Sequence, residues 1–251
     1  MIFTKHYDMS VAEAARARIR NLLLHNKCML SFSGGKESLV MAHMAYDLIS
    51  KGEAPAENLE VLFIDEEAIY PCVERIVRLW RDRFTSLGVR FLWVCSEFRH
   101  FSCFNALYND ESFITFDETK RDVWVRPKEP GHVVFDNPLR LSYQAWLDRY
   151  ITDRVQIIGL RARESIQRRL VIARNKDPRR AHKAYPLHDW TLNDVWLYIR
   201  DNNIDFPDAY LYMYKLGIHS NHLRISQFFS IDTAISLVRM CEFYPGLFER
   251  I

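Results

Sequence analysis

Hydrophobic residues recur at helical spacing soon after the chain begins. Ser10 and Glu13 form a capping box, and the apolar positions that follow predict a helix through Leu24 that ends near His25 and Asn26. Short apolar runs then predict buried strands, with amphipathic helices between them. The strands are expected at about residues 27–32, 59–65 and 89–94, and the helices at about 36–49 and 72–86. This order predicts an α/β fold, an open and mostly parallel sheet with helices on both faces.

The hydrophobic pattern breaks between about residues 95 and 140. Frequent aromatic residues there favour an ordered functional insertion or lid over a disordered linker. Beyond it we expect a helix at about 141–152, a fourth strand at 155–160, a short extended piece at 185–188, and helices at 191–201, 207–217 and 226–243. We therefore predict a main domain over residues 1–205 and a helical C-terminal extension over residues 206–251.

Composition narrows the class of protein. The 251 residues are 49% hydrophobic, enough for one large core with a smaller appended lobe. No uninterrupted apolar run of about 18 residues occurs and the start lacks a signal-peptide layout, so we expect a cytoplasmic protein without a membrane span. The five cysteines are odd in number and scattered, so no disulfide framework, zinc site or iron–sulfur cluster is expected.

The candidate chemistry begins between the first strand and the helix after it. Residues 33–38 read Ser-Gly-Gly-Lys-Glu-Ser, and two glycines at the positive end of a helix let the backbone close on an anion. Lys36 adds a charge, and Ser33 and Ser38 add hydroxyl groups. An ordinary strand-to-helix turn is the alternative interpretation. We favour a phosphate-binding loop formed by Ser33, Gly34, Gly35, Lys36, Glu37 and Ser38.

Charged residues also follow the second and fourth predicted strands. Because ligands bind beyond the carboxyl ends of parallel strands, these residues are candidates for the same site. Asp65, Glu66 and Glu67 follow the second strand, and an acidic cap at a helix N-terminus is the alternative for them. The candidates after the fourth strand are Arg161, Arg163, Glu164, Ser165, Arg168 and Arg169. Carboxylates that face arginines and an anion cradle are typical of Mg²⁺-assisted chemistry on a nucleotide phosphate.

The charge distribution is uneven although the net charge is only +2. Residues 161–183 carry a run of basic side chains against only Glu164 and Asp177. A solvated helix surface is the plain interpretation of the part from 174 to 183. The alternative is that residues 174–183 attract an acidic partner or a nucleic acid.

Several motifs carry a resemblance to a known family. Residues 33–38 resemble the Ser-Gly-Gly-Lys-Asp-Ser signature of the PP-loop ATP pyrophosphatases, with Glu37 in place of Asp. Residues 64–74 resemble the strand-two segment of PAPS reductases, without its Thr and Gly, and residues 159–165 resemble their Gly-Ile/Val-Arg-x-x-Glu-Ser. Residues 185–196 resemble a motif shared with the small subunit of ATP sulfurylase. Residues 122–127 and 222–229 resemble the IbrA-like, prophage-associated branch of the PAPS reductase-like family.

The resemblance implies a PP-loop fold of the adenine nucleotide alpha hydrolase type. It implies that residues 33–38 bind ATP or PAPS and that the protein cleaves or transfers at the α-phosphate. In that scheme Lys36 holds phosphate, and Arg161 and Arg169 stabilise the transferring charge. Asp65, with Glu37 or Glu66, holds Mg²⁺. The implied nucleotide contacts are Ser33, Gly34, Gly35, Lys36, Glu37, Ser38, Asp65, Gly159, Arg161, Glu164 and Ser165.

One departure from the family bears on the reaction. PAPS reductases carry a catalytic cysteine in a C-terminal Glu-Cys-Gly-x-His-Cys segment, whereas residues 215–222 here contain no cysteine. His219 and His222 in that segment are either acid–base or phosphate contacts, or surface and capping residues. An ATP pyrophosphatase or adenylyl-transfer enzyme is therefore favoured. A nucleotide-sensing regulatory subunit that acts with a ParB-like partner is the second hypothesis, PAPS reduction is the third, and a homodimer is left open.

Overall fold

The first half of the chain folds in the predicted order. The computed structural model describes residues 8–101, 112–174, 182–226, 228 and 231–251. Ser10 and Glu13 exchange the two hydrogen bonds of a capping box at the start of the first helix, as predicted. The elements that follow the predicted order are α1 (Val11–His25), β1 (Cys28–Ser31), α2 (Lys36–Ser50), β2 (Leu59–Ile64), α3 (Pro71–Ser86) and β3 (Arg90–Val94).

The second half contains shorter elements. Its strands are β4 (Arg99–Phe101), β5 (Ser112–Ile114), β6 (Val155–Ile157) and β7 (Lys183–Ala184). Its helices are α4 (Tyr143–Tyr150), α5 (Ile166–Arg174), α6 (Leu192–Asp201), α7 (Ala209–Lys215), α8 (Ile231–Met240) and α9 (Pro245–Phe248), with a 3₁₀ segment at Glu118–Val123. A second capping box, between Thr191 and Asp194, starts α6 as predicted.

Five strands form one sheet in the order β3-β2-β1-β6-β7. Strand β1 pairs in parallel with β2 on one side and with β6 on the other, and β7 continues the parallel pairing beside β6. This sheet and the helices between its strands confirm the predicted α/β class. The strand order reverses direction between β1 and β6, which is where parallel sheets bind ligands beyond the carboxyl ends of their strands.

The chain divides into two compact units, each discontinuous in sequence. The first comprises Met1–Leu62, Val77–Phe91 and Thr152–Phe206, and the second comprises Phe63–Ile76, Leu92–Ile151 and Pro207–Ile251. In the first unit, the buried rings of Trp80 and Phe84 pack at 5.8 Å between centroids, and Tyr46 packs edge-on against both. The second unit contains both the predicted insertion and the predicted C-terminal extension. The predicted domains, residues 1–205 and 206–251, are continuous in sequence and stay a prediction.

Two local predictions were wrong. The extended piece expected at residues 185–188 is a turn, in which the His188 N–H donates to the Tyr185 carbonyl at 3.1 Å, and the short strand precedes it as β7. Pro186 explains the difference, since proline favours the second position of such a turn. Residues 226 and 228, at the start of the helix expected at about 226–243, are not helical, and the helix has the bounds Ile231–Met240. Within the described residues, no helix is both long enough and apolar enough to span a membrane.

Candidate functional site

The loop after β1 is closed by its own serines. The Ser38 hydroxyl donates to the Gly35 carbonyl at 2.9 Å and accepts from the Ser33 N–H at 3.2 Å, and the Gly35 N–H donates to the Ser33 hydroxyl at 3.3 Å. Gly34 has a φ of 70°, a left-handed conformation that glycine adopts without strain. Gly35, the N-cap residue of α2, makes no side-chain capping hydrogen bond, and the positive end of this helix faces the loop.

Two cations and one carboxylate meet beside this loop in the first unit. Glu37 Oε1 lies 3.0 Å from both Nε and the NH2 nitrogen of Arg161, and 3.6 Å from Lys36 Nζ. Arg161 is 5% exposed and Lys36 is 7% exposed. Burial lowers the pKa of the Lys36 ammonium, and the Glu37 carboxylate partly opposes that shift. The Glu37 carboxylate therefore lies between a buried lysine and a buried arginine.

Gly159 lets the loop after β6 approach α2 closely. A Cβ atom at residue 159 would lie 2.9 Å from Glu37 Cβ, 3.1 Å from Met41 Cε and 3.3 Å from the Glu37 backbone carbon. Such separations are shorter than van der Waals contact. The Glu37 carbonyl carbon is part of the backbone of α2 and Glu37 Cβ is bonded to that backbone, so neither atom can move aside easily. The predicted nucleotide contact Gly159 therefore brings Arg161 and Glu37 together by having no side chain.

We expect Gly159→Ala to weaken nucleotide binding by roughly tenfold or more, because the added methyl group must push the Arg161 loop away from α2. Calorimetric titration with ATP would measure the loss. Gly246→Ala is the matched control, since a Cβ atom there would meet nothing within 4 Å. Unchanged affinity in Gly159→Ala would show that the approach of this loop to α2 does not contribute to binding.

The predicted site residues beyond Arg161 lie in a turn and in the helix after it. Residues 161–164 form the turn, and α5 begins at Ile166. Ser165 caps this helix by accepting from the Arg168 N–H at 3.1 Å, and Glu164 pairs with Arg168 at 3.3 Å. Arg169 lies exposed in the first turn of α5. Its catalytic role stays a prediction.

The predicted basic segment is only partly described. Arg174 is exposed at the end of α5, and Lys183 lies in β7. Residues 175–181, which include Lys176, Arg179 and Arg180, lie outside the described residues. Nucleic-acid binding by residues 174–183 therefore stays a prediction.

Asp65, in the second unit, lies in a hydrogen-bonded and charged environment. Its side chain is fully buried. Oδ1 accepts from the Glu67 N–H at 2.9 Å, and Oδ2 accepts from Trp93 Nε1 at 2.7 Å and from the guanidinium of Arg126. Arg126 also lies 3.6 Å from the Glu74 carboxylate. Asp65 is therefore the buried counter-ion of Arg126, a partner that the sequence did not predict.

The two glutamates after Asp65 hold other parts of the same unit. Glu67 is 3% exposed, and its carboxylate accepts from the backbone N–H groups of Phe116 at 2.6 Å and Val125 at 2.8 Å. Burial raises the pKa of Glu67, although these two hydrogen bonds oppose the shift. The Glu66 carboxylate accepts from the Phe228 N–H at 3.3 Å. Because α3 begins only at Pro71, these acids organise loop segments and do not cap that helix.

The carboxylates predicted to hold Mg²⁺ already have protein partners. Both Asp65 oxygens accept hydrogen bonds from protein donors, and Glu37 Oε1 is paired with cations. Among the residues described, no group of three or more His, Cys, Asp and Glu side chains is placed to hold a metal ion. The Mg²⁺ site of Glu37, Asp65 and Glu66 therefore stays a prediction.

The described thiols are mostly unsuited to nucleophilic chemistry. Cys28, Cys72 and Cys95 are buried, and burial raises the pKa of Cys28 and of Cys95 to about 12. Cys241 is exposed, and Cys103 lies outside the described residues. The rings of His219 and His222 lie 6.3 Å apart, and the role of these two histidines stays a prediction.

Comparison with known proteins identifies one matching family. Residues 27–231 match the model of the phosphoadenosine phosphosulfate reductase domain. The uncharacterized protein YbdN of Escherichia coli K12 is 28% identical over 248 residues, covering 87% of this chain and only 59% of YbdN.

Among solved structures, PAPS reductase from Candida auris is similar with a TM-score of 0.43 and 15% identity, over 85% of this chain and 87% of that one. The tRNA thiolase NcsA from Methanococcus maripaludis has a TM-score of 0.44 and 15% identity, over 96% of this chain and 77% of that one. Both TM-scores are below 0.5. The fold class is therefore defined by the strand order and the parallel pairing of this chain's own sheet.

Proposed function

Because the chain belongs to the phosphoadenosine phosphosulfate reductase domain family, we propose that it binds ATP or PAPS through the phosphates, at residues 33–38. The observation that carries this proposal is the meeting of Lys36 and Arg161 at a single anion position beside the loop. A buried lysine whose pKa is lowered by desolvation gains most from a multiply charged anion. The uncapped N-terminus of α2 adds a favourable dipole at the same place.

We propose further that, with ATP as the substrate, water or an acceptor group attacks the α-phosphorus, the bond between the α- and β-phosphates breaks, and pyrophosphate leaves. Lys36 would bind a phosphate oxygen, and the planar guanidinium of Arg161 would stabilise charge that develops during transfer. Ser33 and Ser38 would hold the loop in its closed form. Glu164 and Ser165 would fix the turn that carries Arg161. Two further parts of the scheme stay predictions. One is an additional positive charge from Arg169, and the other is a Mg²⁺ ion bound by the predicted carboxylates.

The second candidate is a nucleotide-sensing subunit that works through a partner, such as a ParB-like protein. It is favoured by the absence of cysteine from residues 215–222 and by the high pKa values of the buried thiols. A chain that keeps the phosphate loop but lacks the reductase nucleophile has the features of a sensor as well as those of an adenylyl-transfer enzyme. PAPS reduction itself is the least favoured of the three functions.

We expect the purified protein to release pyrophosphate from ATP in the presence of Mg²⁺, and to keep this activity after thiol alkylation, because no thiol takes part in the proposed reaction. Product release would be measured by a coupled pyrophosphate assay, with circular dichroism to confirm that alkylation leaves the fold intact. Binding of ATP without turnover would favour the sensor. Release of sulfite from PAPS with thioredoxin, lost in Cys241→Ser, would instead establish a reductase.

A further inference from the structure

Glu37 Oε1 lies where an anionic ligand oxygen would be expected. One oxygen lies within 3.0 Å of two Arg161 nitrogens and 3.6 Å from Lys36 Nζ, at the N-terminal turn of α2. A phosphate oxygen bound by the loop would need the same nitrogens. Within the described part of the chain, Glu37 is also the one acidic partner of Arg161.

We propose that Glu37 is an internal anion that occupies the phosphate position between Lys36 and Arg161, and that an incoming phosphate displaces it. This inference rests on the proposed function, because it concerns the same site. It gives Glu37 a role different from the predicted metal ligand. The carboxylate holds the two cations in place without nucleotide and competes with nucleotide for them.

The burial of the three side chains indicates which of them moves. The side chain of Arg161 is 6% exposed and that of Lys36 is 8% exposed, whereas that of Glu37 is 17% exposed. Removal of either buried cation from its partner would leave an uncompensated charge inside the protein. Glu37 is the most exposed of the three side chains. After its carboxylate moves away from the two cations, it still lies in the first turn of α2, where the helix dipole favours a negative charge.

The competition predicts a gain of affinity from an isosteric change. We expect Glu37→Gln to bind inorganic pyrophosphate and ATP roughly tenfold more tightly, because the amide oxygen still accepts from Arg161 but no longer neutralises it. Glu37→Asp keeps the charge and retracts the carboxylate by one methylene group, so a smaller gain is expected. Affinity would be measured calorimetrically in EDTA and again with Mg²⁺, and thermal unfolding would confirm that each variant folds.

Glu57→Gln is the matched control, because it removes the same charge from an exposed position in the same unit. Unchanged affinity in this control, with tighter binding in Glu37→Gln, supports the proposal. Equal tightening in both variants would reduce the effect to net charge and overturn it. If Glu37→Gln binds nucleotide more weakly than the wild type, and only when Mg²⁺ is present, the proposal would also be overturned. Glu37 would then be a metal ligand.

Affinities of the wild type and Glu37→Gln together distinguish a failure of the internal anion from a failure of the nucleotide site. If the wild type binds nucleotide and Glu37→Gln binds it no more tightly in EDTA, the internal anion is refuted and the nucleotide site stands. If the wild type fails to bind pyrophosphate and Glu37→Gln binds it, competition by Glu37 is supported. If neither protein binds pyrophosphate or ATP, both proposals are refuted.

Discussion

Lys36→Ala is expected to lower the affinity for ATP or PAPS by about 1.5–3 kcal/mol, roughly tenfold to 150-fold, the loss of a charge-assisted hydrogen bond to phosphate. The ammonium is buried beside Arg161, where water screens the interaction little. Removal of Lys36 would also leave Glu37 as the partner of Arg161 alone. The remaining positive charge would then be largely neutralised by that carboxylate.

Calorimetric titration of wild type and variant would measure this loss. Lys51→Ala is the matched control, because Lys51 lies exposed at the other end of α2 and pairs with Asp47 at 2.8 Å. Its affinity should equal that of the wild type. Lys36→Arg should recover part of the binding through its charge, although the longer side chain fits the buried position less well. Equal affinities in Lys36→Ala and wild type would remove residues 33–38 from the site.

The strand-to-helix loop at residues 33–38 could be predicted from the sequence because its determinants are local, whereas its binding of phosphate stays a prediction. Glycine at residue 34, two hydroxyl groups and a strand-to-helix transition lie within six residues, and the left-handed φ of Gly34 agrees with that interpretation. The alternation of strands and helices is equally local in its origin. Periodicity therefore predicted the first three strands of the sheet closely, and their parallel pairing could be argued from the rules for connections through helices.

The ion pairs could not be predicted in this way, because their partners are far apart in the chain. Arg161 meets Glu37 across 124 residues, and Arg126 meets Asp65 across 61 residues. Residues 122–127 were singled out only by their resemblance to a family motif. That resemblance does not indicate which residue pairs with Arg126. The acidic run after β2 therefore suggested metal ligands, whereas its carboxylates hold Arg126 and four backbone N–H groups of the second unit.

Loss of the Asp65 charge is expected to lower the free energy of unfolding by about 3 kcal/mol, the lower end of the cost of breaking a buried ion pair, since Arg126 would keep only the Glu74 carboxylate, 3.6 Å away, as a counter-charge. Asp65 is 0% exposed and the Arg126 side chain is 10% exposed, so water cannot replace the lost partner. Asp65→Asn keeps the shape of the side chain and an acceptor for Trp93 Nε1, but its NH2 group replaces the acceptor of the Glu67 N–H. Its effect would therefore report the lost charge together with that one hydrogen bond, and not a cavity. Urea unfolding monitored by tryptophan fluorescence would measure it.

A double-mutant cycle with Arg126→Met separates the ion pair from other contacts of Asp65. If the pair acts as a unit, the double variant should be more stable than Asp65→Asn alone, because no unpaired buried charge remains. Glu118→Gln is the control, since this half-exposed surface carboxylate should contribute less than about 1 kcal/mol. Full stability in Asp65→Asn, together with loss of Mg²⁺-dependent turnover, would show that Asp65 serves as a metal ligand and not as the counter-ion of Arg126.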